Sequence, residues 1–332
     1  MIRSVLSALK SFLKKHARFH ILMAVHLKIS GIIYRLRYTK DSVKHNPRKR
    51  QYSPAPYIIR RAAHNVGLFS YFNTILGGIA YADKHGYTPV VDMKNYPNTY
   101  LYPEEVGRVN AWEYYFDQPG GLPLDDALSC REYVLGRDTA LHGWPDTDGL
   151  MSDAEELEHW RGLCRKYVRF TPAVTERAEA MTRKYEGMRI LGVLVRGTDY
   201  VALKPKSHPI PPTAEQAIAK AREAMSEQRF DAVYLATEDK KIVAAFQEAF
   251  GEKLILPEAD YLDYDFSRPD FLANVRSGRK NDKYLRGLEY LVSILFLSRC
   301  EGLITSGNNG TVAAILFSDG FEYFYLFDLG KY

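Results

Sequence analysis

Ile2, Val5, Leu6, Leu9, Phe12 and Leu13 recur every three or four positions, with Arg3, Lys10, Lys14, Lys15 and Arg18 between them, a pattern that predicts an amphipathic, basic N-terminal helix. From Asn65 to Asp92 a turn at Gly67 opens a long apolar-periodic helical segment, followed by a β-branched strand at Thr88 to Asp92. Tyr96 to Phe116 is rich in Tyr and Trp and reads as loop and short helix; such aromatics either pack a core or stack a sugar ring. Residues 151 to 187 read as charged helix, with Ser152 as N-cap, Glu155 three residues on and a stop at Gly187.

A regular alternation follows: strands at Arg189 to Val195, Ala232 to Ala236, Lys253 to Leu256 and Gly302 to Thr305, and helices at Ala214 to Ser226, Lys240 to Phe250 and Tyr284 to Ser298. Continuous apolar strands joined through helices predict a parallel, doubly wound sheet. The long stretch without pattern is about Asp260 to Asp282.

Charge alters this picture at one end. The 332 residues hold 45 Lys plus Arg and 40 Asp plus Glu, a net +5, yet the first fifty carry thirteen Lys or Arg against one acid, Asp41. That is a +12 leader on a body of −7, which excludes a general nucleic-acid binder and predicts a localised basic contact. Phe19 to Leu36 contains His20, His26, Lys28 and Arg35, too polar for a spanning helix, and no signal-peptide pattern follows. The leader is therefore expected to lie on an anionic membrane surface through residues 1 to 40, or else to pack on its own body or on a second subunit. Arg48, Lys49 and Arg50 among prolines read as an exposed linker. Three scattered cysteines exclude a disulfide framework.

In doubly wound sheets ligands bind beyond the carboxyl ends of the strands. Three such ends here are polar: Arg196-Gly197-Thr198-Asp199, Thr237-Glu238-Asp239, and Thr305 through Thr311 with Ser306, Asn308, Asn309 and Gly310. Arg196 has the shape to grip a diphosphate, or else pairs with Asp199 or Asp239 as a structural ion pair. Asn308 to Thr311 opens a helix whose N–H groups favour an anion, or is a plain cap. Glu238 and Asp239 accept from a ribose or base, or cap the next helix. Together the clusters point to a phosphorylated, nucleotide-like ligand. GxGxxG and GxxxxGK[ST] are absent, as are HExxH and CxxC, so neither a dinucleotide cofactor, a P-loop nor a tightly held metal is indicated. His208, in His-Pro-Ile-Pro-Pro, is a positioning or chemical candidate.

The same clusters, in this order, resemble the α1,6-fucosyltransferases of animals and rhizobia, within the fucosyltransferase superfamily of GT-B-like glycosyltransferases. VLVRGTDYVALKPKSHPI resembles that family's first motif through Arg196, Thr198, Asp199, His208 and Pro209. VYLATED resembles its second motif. Leu285-Arg286-Gly287, Phe296-Leu297-Ser298 and the TSGNNGT turn resemble its third, and GLFSYFNTILGGIAYADKHGYTPVVD its opening segment. The resemblance spans roughly residues 60 to 332 and implies an α/β, GT-B-like fold of two Rossmann-like domains. These would be an acceptor domain at 56–187 and a nucleotide-sugar domain at 188–332, behind a leader and linker at 1–55.

It also implies inverting, metal-independent transfer from a nucleotide sugar, GDP-fucose in characterised members, with no cofactor beyond that donor. Arg196 would stabilise the leaving diphosphate, and Gly67, Thr198, His208, Thr237, Asp239, Ser306, Asn308, Asn309, Gly310 and Thr311 would line the donor site. Lys204 stands where the animal enzyme has a Glu proposed as base, so Asp199 or Glu238 is expected to take that role, or a dissociative transfer needs little base. Ser293 replaces an aspartate of the third motif.

The expectation is a fucosyltransferase-like enzyme of bacterial capsule or O-antigen assembly. It would be cytoplasmic and peripheral on the inner face of the plasma membrane, acting on an oligosaccharide or lipid-linked glycan. The alternatives are a polysaccharide pyruvyl transferase, with Arg196 and Lys204 holding phosphoenolpyruvate, and a non-catalytic, membrane-associated glycan- or nucleotide-binding protein.

Overall fold

The computed structural model describes residues 38–63, 65–272, 275 and 278–332. The predicted leader helix lies outside the described residues. The described residues build two sheets. The first has the order β1-β4-β2-β3, from β1 (Ser42–His45), β2 (Pro56–Arg60), β3 (Thr88–Val91) and β4 (Glu132–Asp138). β2 pairs in parallel with β3 and β4, and β1 joins β4 antiparallel at the edge. Residues 42–45, read from the sequence as linker, thus form an edge strand; a four-residue Ser-Val-Lys-His segment, three of its residues exposed, carries no apolar alternation that would announce it. Asp41 fixes its start, accepting from the Tyr57 and Tyr81 hydroxyls at 2.8 and 3.0 Å and from the Arg137 N–H at 2.8 Å.

The second sheet has the order β7-β6-β5-β8-β9, parallel throughout, from β5 (Ile190–Leu194), β6 (Ala232–Ala236), β7 (Leu254–Ile255), β8 (Gly302–Ser306) and β9 (Tyr323–Phe327). Every residue of β5, β6 and β8 is buried, as their unbroken apolar runs require. Alternation along β5 divides the core: Leu191 and Val193 face α7 (Ala214–Gln228) and α8 (Lys240–Phe250), while Ile190 and Leu194 face α9 (Asp282–Leu297).

The α9 side of this sheet is continuous with the first half of the chain. Helix α1 (Leu68–Lys84) is buried over most of its length, and its Phe69, Phe72 and Ile75 share one apolar cluster with Leu291, Leu295 and Val312. Asn73, fully buried on α1, donates through Nδ2 to Asn309 Oδ1 at 3.0 Å, tying α1 to α10 (Asn309–Phe317). The remaining helices are α2 (Leu124–Leu128), α3 (Thr147–Ser152), α4 (Ala154–Tyr167), α5 (Pro172–Lys184) and α6 (Asp199–Leu203). The charged 151–187 segment is divided between α4 and α5 by the Val168 to Thr171 connection, with Pro172 starting the second. Asp153, not Ser152, caps α4, accepting from the Glu155 and Glu156 N–H groups; Ser152 ends α3 instead. Among the described residues no helix is long and apolar enough to cross a membrane.

Candidate active site

The carboxyl ends of β5, β6 and β8 meet the start of α1 around two adjoining cavities of about 160 Å³ each. The first has an apolar floor of Leu194, Ala236, Pro257 and Leu272 and a polar rim that includes Thr237, Glu238 and Ser293. The second is lined by Asp199, Tyr200, His208, Asn309 and Gly310. Gly67, Arg196, Leu272 and Tyr290 belong to both and form the wall between them.

Arg196 leaves the end of β5 into this wall. Its Nη2 donates to Asp199 Oδ1 at 2.9 Å, its Nε lies 3.8 Å from Glu238 Oε1, and its guanidinium stacks over Tyr200 at 4.1 Å. The buried Nε has no hydrogen-bond acceptor, which leaves a charged donor available at the junction of the cavities. Burial alone would favour losing the proton, but the carboxylates of Glu238 and Asp199 outweigh it and raise the guanidinium above its ordinary value.

The two carboxylates differ in what else holds them. Asp199 is buried and fully engaged, since its Oδ2 accepts from the Leu272 N–H at 3.2 Å while Oδ1 holds Arg196. Glu238 accepts from the Thr198 hydroxyl at 2.7 Å. Burial pushes its carboxyl above the ordinary 4.5, and Arg196 and Thr198 offset that only in part. A carboxylate with a raised proton affinity beside the junction has the property a general base needs. Asp199 is placed instead to orient Arg196.

The other residues singled out from the sequence take varied positions. Thr198 is wholly buried and precedes α6, and Thr237 lines the first cavity. Asp239 is buried and caps α8, accepting from the Lys241 N–H at 2.7 Å, so its side chain serves the helix. Asn308 caps α10 in the same way through the Gly310 and Thr311 N–H groups at 2.9 and 3.1 Å, and Thr311 in turn donates to the Ser306 carbonyl at 2.5 Å. The end of α10 that meets the second cavity is thus Asn309 and Gly310. Gly310 lets the helix approach closely, because a Cβ there would stand 2.5 Å from the Tyr290 hydroxyl. Gly67 is the N-cap of α1 at φ −71°, a conformation open to any residue, and faces open space rather than making the tight turn its identity suggested.

His208 is exposed, its ring edge-on to that of Tyr200 with centroids 5.2 Å apart, on a loop held by hydrogen bonds between residues 207–210 and 330–332. Lys204 ends α6 in the left-handed region at φ 45° with an exposed side chain, and it lines neither cavity.

Three features of the site escaped the sequence reading. Tyr290 lines both cavities. Asp282, Arg286, Glu289 and Ser293 put a polar stripe on α9 along the first cavity, spaced by four, three and four residues as one helix face demands; Arg286 and Ser293 were named from the sequence only as parts of the third motif, and the stripe they belong to was missed. Arg279, in the stretch read as patternless, clamps Glu289 bidentately at 2.7 and 2.8 Å and Asp282 at 2.9 Å. The sequence also holds two Asp-x-Asp triplets, Asp146-Thr147-Asp148 and Asp263-Tyr264-Asp265. Asp146 caps α3 and Asp265 accepts from Ser267; among the described residues no group of three or more His, Cys, Asp or Glu is arranged to hold a metal.

No family model matches the chain, and no curated protein sequence does. Among solved structures it is similar to the NodZ α1,6-fucosyltransferase soaked with GDP-fucose, at 15% identity over 80% of this chain and 92% of that one, with a TM-score of 0.45. It is also similar to fucosyltransferase NodZ from Bradyrhizobium, at 14% identity over 80% and 94%, TM-score 0.47. A third similar structure is POFUT1 in complex with GDP, at 11% identity over 84% and 100%, TM-score 0.49. At these identities and TM-scores the likeness leaves open what this chain binds or transfers, which its own side chains must decide.

Proposed function

We propose that this chain is an inverting glycosyltransferase that takes its sugar from a nucleoside diphosphate sugar, GDP-fucose first among candidates, and transfers it to a glycan hydroxyl. One observation carries the reading: Arg196, held charged and with a buried Nε that makes no hydrogen bond, stands on the wall shared by two cavities, with Glu238 beside it. The first cavity, with its apolar floor and polar rim, suits a nucleoside. The diphosphate then lies at Arg196 and the α10 N-terminus, where the guanidinium and the positive end of the helix dipole offset the charge that grows as the sugar C1–O bond breaks. The acceptor oxygen attacks C1 from the opposite face, and Glu238 takes its proton. None of these roles needs a metal.

In this proposal residues 188–332 supply most of the donor site, Gly67 and Tyr100 complete its wall, and residues 56–187 bring the acceptor. The leader, residues 1 to 40 with nine Lys or Arg and no acid, holds the body on the anionic inner face of a bacterial plasma membrane, where lipid-linked glycans of capsule or O-antigen type are assembled. The exposed Lys204 leaves pyruvyl transfer with Arg196 as its sole cation from the pair that reading needs. Incubating the full chain with GDP-, UDP- and dTDP-sugars, and following nucleotide release by mass spectrometry, tests the proposal. Release of GDP from GDP-fucose supports it; no release and no binding from any donor removes it.

A further inference from the structure

The tyrosine-rich segment at 96–116 is only partly spent on the core. Tyr96, Tyr100, Trp112, Tyr115 and Phe116 are buried, but Tyr102 and Tyr114 stay partly exposed and, with Tyr284 at the start of α9, wall a cleft of about 240 Å³. Tyr114 and Tyr284 stand edge to face at 5.3 Å. Tyr100 lines both this cleft and the first cavity of the active site. The first turn of α9 serves both as well: Asn281 and Tyr284 face the cleft, while Asp282 and Arg286 face the cavity.

Two polar groups complete the cleft. Glu105 is fixed from two sides, accepting from the Tyr102 N–H at 2.7 Å and the Tyr114 hydroxyl at 3.3 Å, so its carboxylate is held in place at the wall. Asn281 sits in the left-handed region at φ 57°, does not cap α9 with its side chain, and its amide makes no hydrogen bond among the described residues. Aromatic faces beside a fixed carboxylate and an unused amide match a pyranose, which offers an apolar C–H face and a rim of hydroxyls that both donate and accept. Tyr114 and Tyr284 each pack against the core, Tyr284 stacking on Tyr115 at 6.0 Å, and leave the rest of their surface to the cleft.

We propose that this cleft is a saccharide-binding subsite that seats a neutral sugar ring of the acceptor glycan against Tyr114 and Tyr284, with Glu105 and Asn281 taking its hydroxyls. Glu105 repels a uronic acid, which sets the preference for a neutral ring. Only the word acceptor rests on the proposed transferase reading; sugar binding in the cleft stands apart from it.

The test uses the full chain with chitobiose, mannobiose and lactose as neutral probes and digalacturonate as the anionic one. Binding is followed by saturation-transfer NMR and titration, with and without GDP. At least one neutral probe is expected to bind and to outcompete digalacturonate. Tyr114→Ala and Asn281→Gly, the latter keeping the left-handed backbone available, should each weaken it roughly tenfold. Tyr114→Phe, which retains the ring, should stay within about threefold, and GDP affinity should be unaffected in all three. If Tyr114→Ala fails to fold, the exposed Asn281→Gly decides. GDP binding without any neutral saccharide binding overturns the inference and leaves the transferase reading standing, and so does saccharide binding that survives both Tyr114→Ala and Asn281→Gly. A preference for digalacturonate overturns it also. Saccharide binding lost in the variants, with no nucleotide bound by the wild type, upholds the cleft and removes the transferase reading.

Discussion

Replacing Glu238 with Gln separates chemistry from binding at the proposed centre. The amide oxygen can still accept from the Thr198 hydroxyl, now 2.7 Å from Glu238, so the local geometry has reason to persist. Arg196 keeps Asp199 at 2.9 Å, and the site loses one negative charge, which leaves the affinity for a nucleoside diphosphate unchanged or higher. What disappears is the proton acceptor, and general bases contribute roughly 100- to 10,000-fold, equal to about 3 to 5 kcal/mol of barrier. Stability should move the other way. Because burial raises the Glu238 carboxyl above 4.5, its stabilising contribution is present below that value and lost as pH rises through the raised folded value. The glutamine variant should therefore melt at the same or a higher temperature at pH 7. The assay is kcat and KM for donor turnover across pH, with GDP titration and thermal denaturation alongside. The wild type should show an acid limb above 4.5 that the variant lacks. A kcat within about threefold of wild type would refute the role of Glu238 as base. A loss of GDP affinity equal to the loss of kcat would make it a binding residue instead.

Arg196→Ala leaves the Asp199 and Glu238 carboxylates, whose side chains are 5% and 24% exposed, without their cation. It should cost about 3–5 kcal/mol in urea denaturation, and adding Glu238→Gln should recover part of that; equal stability of Arg196→Ala and wild type contradicts the electrostatic account. Asn73→Ala removes the donor that α1 extends to Asn309 and should cost about 1–3 kcal/mol while loosening GDP binding measured by calorimetry; an unchanged affinity would show that this tie does not position α10. His142 is buried against the Tyr57 hydroxyl at 3.3 Å, and burial, with the nearby Arg137 charge, lowers it from 6.5 to about 4. Its stabilising contribution is full above 6.5 and is lost, up to about 3 kcal/mol, as pH falls through about 4. Urea denaturation of wild type and His142→Asn at pH 7 and pH 4 should show their stability difference shrinking at the lower pH.

The second sheet was the most legible part of the chain, because parallel strands buried on both faces leave unbroken apolar runs. Ala232–Ala236 and Lys240–Phe250 have the bounds their pattern predicts. Arg196, Thr237 and Glu238 were legible as candidates for a related reason, since polar side chains directly after such strands have few uses other than a ligand or a cap, and all three line the first cavity. Whether a given one caps or binds was not legible, and the structure makes Asp239 and Asn308 caps. The edge strand Ser42–His45 has no one-sided apolar face to reveal it. Arg279 acquires its place through ion pairs with Asp282 and Glu289, which no pattern of apolar positions announces. The polar stripe Asp282, Arg286, Glu289 and Ser293 was readable in principle, as one polar face on an otherwise apolar helix that also carries Tyr290. Its helical spacing was the signal that went unused.

The most direct test of the central claim is donor turnover by the purified full chain and its Arg196→Ala variant, followed as free nucleotide by mass spectrometry over GDP-, UDP- and dTDP-sugars. The account predicts GDP release from GDP-fucose by the wild type and none above background from the variant. Full turnover by Arg196→Ala, or no binding of any nucleotide by the wild type, would contradict it.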